Sequence, residues 1–490
     1  MEFTDHNPNS TSIASQHSTN GTTIVTENRN PNPNGAQPYV LMFPVMSQGH
    51  MIPMIDLARM IAARGLAVAV ATTPLNAARI PSVPLLRVLE LPFPGTEVDL
   101  PRGCESLDAL PQLSLFPEFM KATRLMKPKL DEILAIDRPL AIVSDFFLPW
   151  TLDTAERIGV PRLVFQGISC SAHCCLELVK KFRLWDAVDS DHEPFELPGL
   201  SIRLTKANLP PLMRNPSAEP PGVIEFFNEI RRADSESAGI IFNSFYELEP
   251  DYFEHCRKTT RAWHVGPVSM VTPDTGSRGK AGSVECLAWL DMFERGTVVY
   301  ACFGSMCRFE SDQLAEIGLG LEATGRPFIW VVRETTEPLG SISGLDGFEE
   351  RVKDRGLVIR GWAAQVLILS HESVGAFITH GGWNSVLEGV SSGLAMVTWP
   401  LSAEQFINAK MVSEVMGIGF GVERVGKEVV RREKVKEAVE EVMGEGGERK
   451  RMRAKELKEM GRRAVEEGGS SHMSLGRLVE DLLNGLKQGA

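Results

Sequence analysis

The sequence feature that most constrains the fold is a strand, a glycine turn and a helix start between residues 374 and 388. Residues 374–379 are a short, mostly apolar run that predicts a strand. His380-Gly381-Gly382 follows as a turn, and Trp383-Asn384-Ser385 begins a helix. The first N–H groups of a helix have no partner within it, and the helix dipole is positive at that end. The sequence therefore predicts an anion site at this turn.

Strand and helix patterns alternate along most of the chain. A predicted strand at 39–45 is followed by a turn at 47–50 and by a helical pattern that ends at Gly65. Such alternation predicts parallel sheets with helices on both faces, which is an α/β fold. The predicted strands are residues 39–45, 66–71, 85–91, 140–144, 162–165, 239–242, 298–303, 328–332, 357–359, 374–379 and 395–399.

Composition divides the chain into two α/β units. A stretch rich in Gly, Ser, Pro and Thr at 263–285 lacks periodicity and predicts a linker. The first unit then covers residues 37–262 and the second residues 286–470, while residues 471–490 contain a final amphipathic helix. Residues 1–36, rich in Asn, Ser, Thr and Pro, are expected to form a disordered tail.

Charge and hydropathy exclude several classes of partner. The formal net charge of −12 argues against nucleic acid. No apolar run approaches ~18 residues, so no membrane span is expected. The N-terminus lacks the positively charged start and apolar core of a secretory signal, and we therefore expect a cytoplasmic protein.

A group of cysteines raises the question of a metal site. Cys170, Cys174 and Cys175 lie close together in the sequence with His173. No C-x-x-C spacing and no second ligand pair accompany them, so reduced, structural cysteines are the favoured interpretation. No metal is expected to bind this protein.

His50 and Asp145 are the candidate catalytic pair. His50 follows the first predicted strand, and Asp145 directly follows another. Because ligands gather at the carboxyl ends of parallel strands, both side chains are expected at the same binding edge. A carboxylate that orients a histidine and stabilises its cation makes that histidine a general base. A lone surface histidine is the alternative, and the strand-end Asp145 argues against it.

The stretch 362–405 adds the groups that a nucleotide joined to a polyol would require. Trp362 and Trp383 supply aromatic rings, Glu388 lies one helical turn in, and Glu404-Gln405 end the stretch. The whole stretch resembles the nucleotide-sugar signature box of plant secondary-product glycosyltransferases, which use UDP-sugars. One position departs from the family pattern, because many members have Cys where this chain has Gly381. The exchange is between small residues, so nucleotide binding is still expected.

The resemblance extends over nearly the whole chain after residue 37. The family's catalytic histidine lies in a GH-x-x-P context, matched by Gly49-His50-Met51-Ile52-Pro53, and its aspartate lies about a hundred residues on, matched by Asp145. The resemblance implies two Rossmann-like doubly wound parallel-sheet domains that face a cleft, the GT-B type. The first domain would bind the acceptor and the second the UDP-sugar, with the last helix returning to the first domain. Irregular segments at 92–118 and 185–222 are expected to form the acceptor rim.

The resemblance also implies a contact for each donor-site residue. Trp362 would stack on uracil, and Ala363 would bind the base edge through its backbone. The ribose is expected at Gln365 and Glu388, the diphosphate at Ser305, His380, Asn384 and Ser385, the sugar hydroxyls at Trp383 (through its backbone), Glu404 and Gln405, and the acceptor at His50 and Ala403. A terminal Gln usually accompanies UDP-glucose in this family.

The expected activity is inverting transfer of glucose from UDP-glucose to a hydroxyl of a small hydrophobic plant metabolite, giving a β-glucoside. Flavonoids, terpenoids and other phenols are the acceptor classes that the resemblance implies. The leaving UDP would be stabilised by the helix start, His380 and Ser305, so no metal cofactor is expected. A monomer is expected. C- or N-glycosyl transfer and a catalytically silent UDP-sugar-binding protein remain alternatives.

Two further patterns are weaker. Residues 318–323 fit a relaxed G-x-G-x-x-A pattern, as a nicotinamide oxidoreductase would have. They fall late in a predicted helix at 311–323, whereas a dinucleotide fingerprint must open a helix. Asp189 and Asp191 fit the D-x-D pattern of metal-dependent transferases, but a solvated acidic loop is the favoured interpretation.

Overall fold

Short apolar runs build two parallel sheets. The computed structural model describes residues 37–214, 222–271, 283–333, 339–422 and 428–486. The predicted tail at 1–36 and residues 272–282 of the predicted linker lie outside the described residues. The strands are β1 Tyr39–Phe43, β2 Ala67–Thr72, β3 Leu86–Glu90, β4 Ile142–Asp145, β5 Arg162–Gln166, β6 Phe195–Glu196, β7 Arg203–Leu204, β8 Gly239–Phe242, β9 Ala262–His264, β10 Val298–Cys302, β11 Phe328–Val332, β12 Gly356–Arg360, β13 Val374–Thr379, β14 Ala395–Thr398 and β15 Gly419–Gly421.

Both large sheets are doubly wound. The first has the strand order β3-β2-β1-β4-β5-β8-β9, and the second has the order β12-β11-β10-β13-β14-β15. All neighbours in these two sheets pair in parallel, whereas β6 and β7 form a separate antiparallel pair. The order reverses between β1 and β4 in the first sheet and between β10 and β13 in the second. Ligands of doubly wound sheets bind at such switch points.

Helices connect the strands and cover both sheets. They are α1 Gln48–Ala63, α2 Pro74–Ala77, α3 Phe116–Leu125, α4 Lys127–Ile136, α5 Thr151–Ile158, α6 Cys170–Phe182, α7 Pro211–Arg214, α8 Val223–Ser235, α9 Pro250–Cys256, α10 Val268–Val271, α11 Ser283–Leu290, α12 Ser311–Ala323, α13 Phe348–Val352, α14 Gln365–Ser370, α15 Trp383–Ser392, α16 Gln405–Lys410, α17 Arg432–Met443, α18 Glu448–Val465 and α19 Ser470–Asn484. A π-helical turn, Met411–Val415, continues α16.

The predicted fold class, two parallel-sheet α/β domains, is confirmed. Every predicted strand is present, with ends that differ by at most two residues. Sequence patterns missed β9 and β15. The predicted linker included residues 263 and 264. These residues belong instead to β9, which pairs with β8 as the seventh strand of the first sheet. β15 is three residues long and contains two glycines, so it carries no apolar alternation.

The two irregular segments contain short elements of their own. Between 92 and 118 the chain forms three 3₁₀ turns before α3 begins at Phe116. Between 185 and 214 it forms the β6–β7 pair and α7, while residues 215–221 lie outside the described residues. Each element is only two to four residues long, which is too short to show a hydrophobic periodicity in the sequence.

Alternate residues of the strands enter different apolar cores. In β1, Leu41 and Phe43 belong to the cluster that contains Phe119 of α3. Val40 and Met42 belong to a second cluster, which contains Leu478 of α19. The first sheet is therefore covered on both faces, as its continuous apolar strands require.

A third apolar cluster extends across both domains. It contains Val164 and Phe242 of the first sheet together with Val298 and Phe377 of the second. Helix α6 of the first domain contacts α16 of the second, and α19 contacts β9, so the chain returns to the first domain after it has formed the second. The two domains are thus joined by buried apolar surface as well as by the connecting segment.

The described helices near the C-terminus are strongly charged. Lys450 pairs with Glu441 at 3.2 Å and Arg453 with Glu456 at 2.7 Å on the exposed side of α18. Across the described residues, we find no helix with both the length and the apolar character that a bilayer crossing requires.

The last helix completes the core of the first domain, and this can be tested by substitution. Leu478 is 0% exposed, and Trp263 of β9 donates from Nε1 to Asp481 of the same helix at 3.1 Å. We expect Leu478→Ala to lower the free energy of unfolding by about 2–5 kcal/mol, because it leaves a cavity beneath the sheet. Urea denaturation measures the change.

The matched control is Met473→Ala on the same helix, since Met473 is 49% exposed. Its effect should stay within about 0.5 kcal/mol. Equal stability of the two variants would contradict the assignment of α19 to the core.

Candidate active site

The switch point of the first sheet brings His50 and Asp145 together. His50 lies in the first turn of α1, directly after β1, and Asp145 is the last residue of β4. His50 Nδ1 and Asp145 Oδ2 are 2.7 Å apart although the residues are 95 positions apart in sequence. Asp145 is fully buried, and its Oδ1 accepts from the backbone N–H of Phe147 at 2.9 Å. Both carboxylate oxygens are therefore held, and Asp145 fixes the orientation of the imidazole.

The surroundings of His50 favour its protonated form. Burial by itself lowers the pKa of His50. Attraction to Asp145 and the hydrogen bond with it outweigh burial, and Asp108 and Glu404 add smaller contributions, so the pKa lies above its usual value. A proton taken up by His50 is thus stabilised in place, which a general base requires.

The ring of His50 occupies the space that a side chain at position 167 would fill. A Cβ added at Gly167 would lie 2.9 Å from His50 Cε1 and 3.3 Å from Phe146, closer than a side chain tolerates. The close approach explains why the residue after β5 is glycine. The same contact holds the ring of His50 against the start of the segment that leads into α6.

Aromatic side chains also lie beside the ring of His50. The ring of Phe147 lies 5.4 Å from that of His50 and 4.2 Å from that of Phe146. Phe116, Phe226 and Phe227 continue the cluster beyond Phe147, with centroid separations of 5.7, 6.3 and 6.2 Å from it. We call these five residues the phenylalanine wall. Sequence reasoning assigned them no function, although Phe146-Phe147 directly after Asp145 was a usable signal.

The loop at 106–111 supports the start of α1. Asp108 Oδ2 accepts from the backbone N–H of Gln48 at 2.7 Å. From the second domain, Arg308 donates to the carbonyls of Pro111 and Leu110 at 2.6 and 3.0 Å. The helix that carries His50 is therefore braced by a loop that the opposite domain also holds.

The switch point of the second sheet brings His380 against the turn after β10. A Cβ added at Gly304 would lie 2.6 Å from His380 Cε1, and Gly304 has a φ of +77°, which only glycine adopts freely. Ser305 follows this turn, so it lies near His380, while the other two predicted diphosphate contacts, Asn384 and Ser385, are in the first turn of α15. Burial lowers the pKa of His380 to about 4. His380 is therefore neutral at pH 7, and the helix start, rather than an imidazolium, provides the positive potential expected there.

A second group of predicted donor residues meets around Gln365. Its Nε2 donates to Glu388 Oε2 at 2.7 Å and to Ser385 Oγ at 3.3 Å. Its Oε1 accepts from the Tyr300 hydroxyl at 3.2 Å. The two predicted ribose contacts, Gln365 and Glu388, are thus adjacent. Tyr300 was missed because it lies inside an apolar strand.

Trp362 and Ala363 precede this group at the start of α14. The side chain of Trp362 is 50% exposed, an unusual state for the largest aromatic residue. Its ring is accessible to a stacking partner. Ala363 is partly buried, and its carbonyl accepts from the N–H of Gln365 at 2.8 Å.

The first two residues of α15 bond to the opposite domain. Trp383 is buried, and its Nε1 donates to the carbonyl of Asn243 at 2.7 Å. Asn384 donates from Nδ2 to the carbonyl of Gly49, the residue before His50. The side chain of Trp383 therefore packs in the domain interface. The predicted anion site and the predicted base are linked by one amide.

The last three residues of the signature stretch differ in their surroundings. Glu404 lies at the start of α16, and burial raises the pKa of its carboxyl group. Gln405 is turned toward its own loop, where Oε1 accepts from the N–H groups of Leu401 and Ser402 at 2.8 and 3.0 Å. Ala403 is exposed, with a left-handed φ of +49°.

The weaker sequence patterns lie elsewhere. Asp189 and Asp191 occupy an exposed loop of the first domain that is bonded within itself, since the N–H of Ala207 donates to the Asp191 carbonyl at 3.0 Å. The 318–323 pattern falls inside α12. Cys170 and Cys174 have a third neighbour that the sequence did not indicate, Cys256 of α9, with all three sulfurs within 4.8 Å of one another in the buried core.

The electrostatic coupling of His50 can be measured directly. We expect Asp145→Asn to lower the pKa of His50, because burial is then opposed only by the weaker attraction of Asp108 and Glu404. NMR titration of the imidazole Cε1–H reports this value in the folded protein.

Asp108→Asn is the graded control, since it should lower the pKa of His50 by less than Asp145→Asn does. An Asp145→Asn protein whose His50 titrates like the wild type would contradict the coupling.

Comparisons with known proteins show the family to which this chain belongs. The family model described as "UDP-glucoronosyl and UDP-glucosyl transferase" matches residues 277–456. A scopoletin glucosyltransferase of Nicotiana tabacum is 45% identical over 91% of this chain and 98% of its own length. UDP-glycosyltransferase 73B4 of Arabidopsis thaliana is 42% identical over 93% of this chain and 100% of its own length.

Solved structures show the same fold. The structure of Glycyrrhiza uralensis UGT73P12, complexed with glycyrrhetinic acid 3-O-monoglucuronide, has a TM-score of 0.84 and 37% identity over 92% of this chain and 96% of its own. Medicago truncatula UGT71G1, complexed with UDP-glucose, has a TM-score of 0.76 and 26% identity over 91% of this chain and 98% of its own. The chain therefore belongs to the plant UDP-glycosyltransferase family, and it is a UDP-glycosyltransferase with the GT-B fold.

Proposed function

We propose that this UDP-glycosyltransferase moves glucose from UDP-glucose to a hydroxyl of a small aromatic metabolite, with inversion to a β-glucoside. One observation carries the proposal. The hydrogen-bonded pair His50 and Asp145 lies at the carboxyl end of the first sheet. Asn384, at the helix start that would hold the diphosphate, bonds to the carbonyl of the residue before His50. A base is thus placed next to an anion site, as one-step glycosyl transfer requires.

The chemistry follows from which nitrogen of His50 is free. Nδ1 is engaged by Asp145, so Nε2 accepts the proton of the acceptor hydroxyl. The acceptor oxygen forms its bond to the anomeric carbon as the bond from that carbon to the phosphate oxygen breaks. UDP leaves with the bonding electron pair, and Asp145 stabilises the imidazolium. A single displacement inverts configuration, so an α-linked donor yields a β-glucoside.

The departing diphosphate would be stabilised by the protein's own dipoles. The start of α15 directs unpaired N–H groups toward the turn at 380–382, and Ser305 adds a hydroxyl beside it. These groups and the helix dipole supply the stabilisation, and the imidazole of His380 can add one N–H donor even when it is neutral. We propose that the reaction needs no divalent metal.

The choice of glucose rests on two supports. A relative that is 45% identical is named as a glucosyltransferase, and a structural neighbour holds UDP-glucose. Gln405 and Glu404 would contact the sugar hydroxyls. For Gln405 this contact requires its amide to exchange the hydrogen bonds that it now makes with Leu401 and Ser402.

The phenylalanine wall supports a flat, aromatic acceptor. Within the wall, Phe147 lies next to the ring of His50, and Phe226 lies next to Phe147. Aromatic rings prefer offset-stacked or edge-to-face partners, so a planar phenol placed against the wall would direct its hydroxyl to Nε2. The wall combines residues of the acceptor rim, α3 and α8 with those that follow β4.

A product screen tests the proposed reaction. UDP-glucose and other UDP-sugars are incubated with phenolic and aliphatic alcohols, with and without EDTA, and products are identified by mass spectrometry and by NMR of the anomeric proton. We expect β-O-glucosides of planar phenols, formed equally well with EDTA. UDP-glucose binding without any product would favour a silent binding protein, and loss of turnover in EDTA would contradict the metal-free mechanism.

The general base is tested by substitution. We expect His50→Ala to reduce kcat by about 10²–10⁴-fold, because the acceptor hydroxyl then lacks a base. Initial rates at saturating UDP-glucose measure the loss.

The chain offers a matched control in His371, which also bonds to a carboxylate, Asp291 Oδ1 at 3.1 Å, on the loop before β13. His371→Ala should retain its rate. A His50→Ala enzyme with wild-type kcat and intact folding would refute the base assignment.

A further inference from the structure

Asn408 uses its whole amide to join three segments. It lies on α16 and is 0% exposed. Its Nδ2 donates to the carbonyl of Gly381 at 2.9 Å and lies 3.4 Å from Glu404 Oε1. Its Oδ1 accepts from the hydroxyl of Ser169 at 3.0 Å. A buried amide is costly unless its donors and acceptor are paired, and here they are paired across the two domains.

Each of the three segments belongs to a different part of the site. Gly381 is in the turn between β13 and the helix start of the donor site. Glu404 is the proposed sugar contact, and its charge acts on His50. Ser169 lies two residues after Gly167, which packs against the His50 ring, and it caps α6 by accepting from the N–H of Ala172.

Asn408 bonds to none of the groups proposed for uracil and ribose. These groups, Trp362, Gln365 and Glu388, lie at α14 and α15, where Gln365 donates to Glu388 at 2.7 Å. Asn408 bonds instead to the carbonyl of Gly381 in the glycine turn, to Glu404 at the sugar end of the site, and to Ser169 in the segment that packs against His50. Its loss should therefore disturb the alignment of sugar and base more than the binding of UDP.

We propose that Asn408, with Ser169, is a positioning residue that sets the register between the sugar site of the second domain and the His50 base of the first. The role rests on the function proposed above. Asn408 acts through Gly381 and Glu404 on one side and through Ser169 on the other. A displacement of 1 Å at a reacting centre can lower the rate ~10²-fold, so the loss of this one amide is expected to lower kcat.

The test compares transfer, hydrolysis and nucleotide binding in one set of variants. We expect Asn408→Ala to lower kcat for transfer by about 10- to 100-fold. The fraction of UDP-glucose that is hydrolysed without transfer should rise, because water tolerates misalignment better than a bulky acceptor does. The Kd for UDP, measured by calorimetry, should stay close to that of the wild type.

Ser169→Ala probes the same bond from the other domain. Because Ser169 also caps α6, the single variant is read within a double-mutant cycle. If the hydroxyl and the amide act as one unit, the variant lacking both should transfer no more slowly than Asn408→Ala alone. Independent, multiplying losses would overturn the shared role.

Gln313→Ala is the matched control for simple destabilisation. Gln313 is 4% exposed, and its amide makes two hydrogen bonds of 2.9 Å to the backbone of Val430 within the second domain. It should lose stability without a change in the ratio of transfer to hydrolysis. If Asn408→Ala behaves like Gln313→Ala, or loses UDP binding in proportion to turnover, the positioning role is overturned. Wild-type protein that binds UDP but transfers nothing overturns the proposed function, and this role with it.

Discussion

The site depends on the parallel pairing of β1 with β4. Parallel strands end at the same edge of a sheet, so His50 after β1 and Asp145 at the end of β4 meet although 95 residues separate them. The second sheet repeats the arrangement between β10 and β13, where the turn of Gly304 meets His380. In the proposed mechanism each domain therefore contributes one half of the chemistry at its own switch point, the general base from the first sheet and the anion site from the second.

Burial controls the charges on both sides. Desolvation and the adjacent Asp145 act against each other at His50, and the carboxylate outweighs the burial. At His380 no carboxylate opposes desolvation, and the ring stays neutral. The protein has a net charge of −12, and in the proposed mechanism a helix start supplies the positive potential for the diphosphate. A local dipole in a buried site acts strongly at short range, whereas distributed surface charge is screened by salt.

Three side chains of the second domain turn toward the first. Trp383 bonds to the carbonyl of Asn243, Asn384 to that of Gly49, and Asn408 to the hydroxyl of Ser169. Each bond lies beside the apolar cluster that both domains share or next to the His50 helix. Trp383 and Asn384 belong to the signature stretch, which therefore contacts the opposite domain in addition to carrying the proposed donor site. A substitution in this stretch can consequently reduce turnover without any direct contact to the nucleotide.

The sequence by itself determined the alternation of strands and helices, the strand-end positions of His50 and Asp145, and the nucleotide-sugar signature at 362–405. These are local patterns, since strand runs, glycine turns and helix starts are encoded by neighbouring residues. Only the tertiary structure decided how distant segments pair. It placed Trp263 in a seventh strand, added Phe226 and Phe227 to the wall around His50, and turned Gln405 toward its own loop. It also gave Asn408 its partners, because a buried amide bonds to whatever segments the packing of two domains brings within 3 Å, and no local pattern encodes that choice.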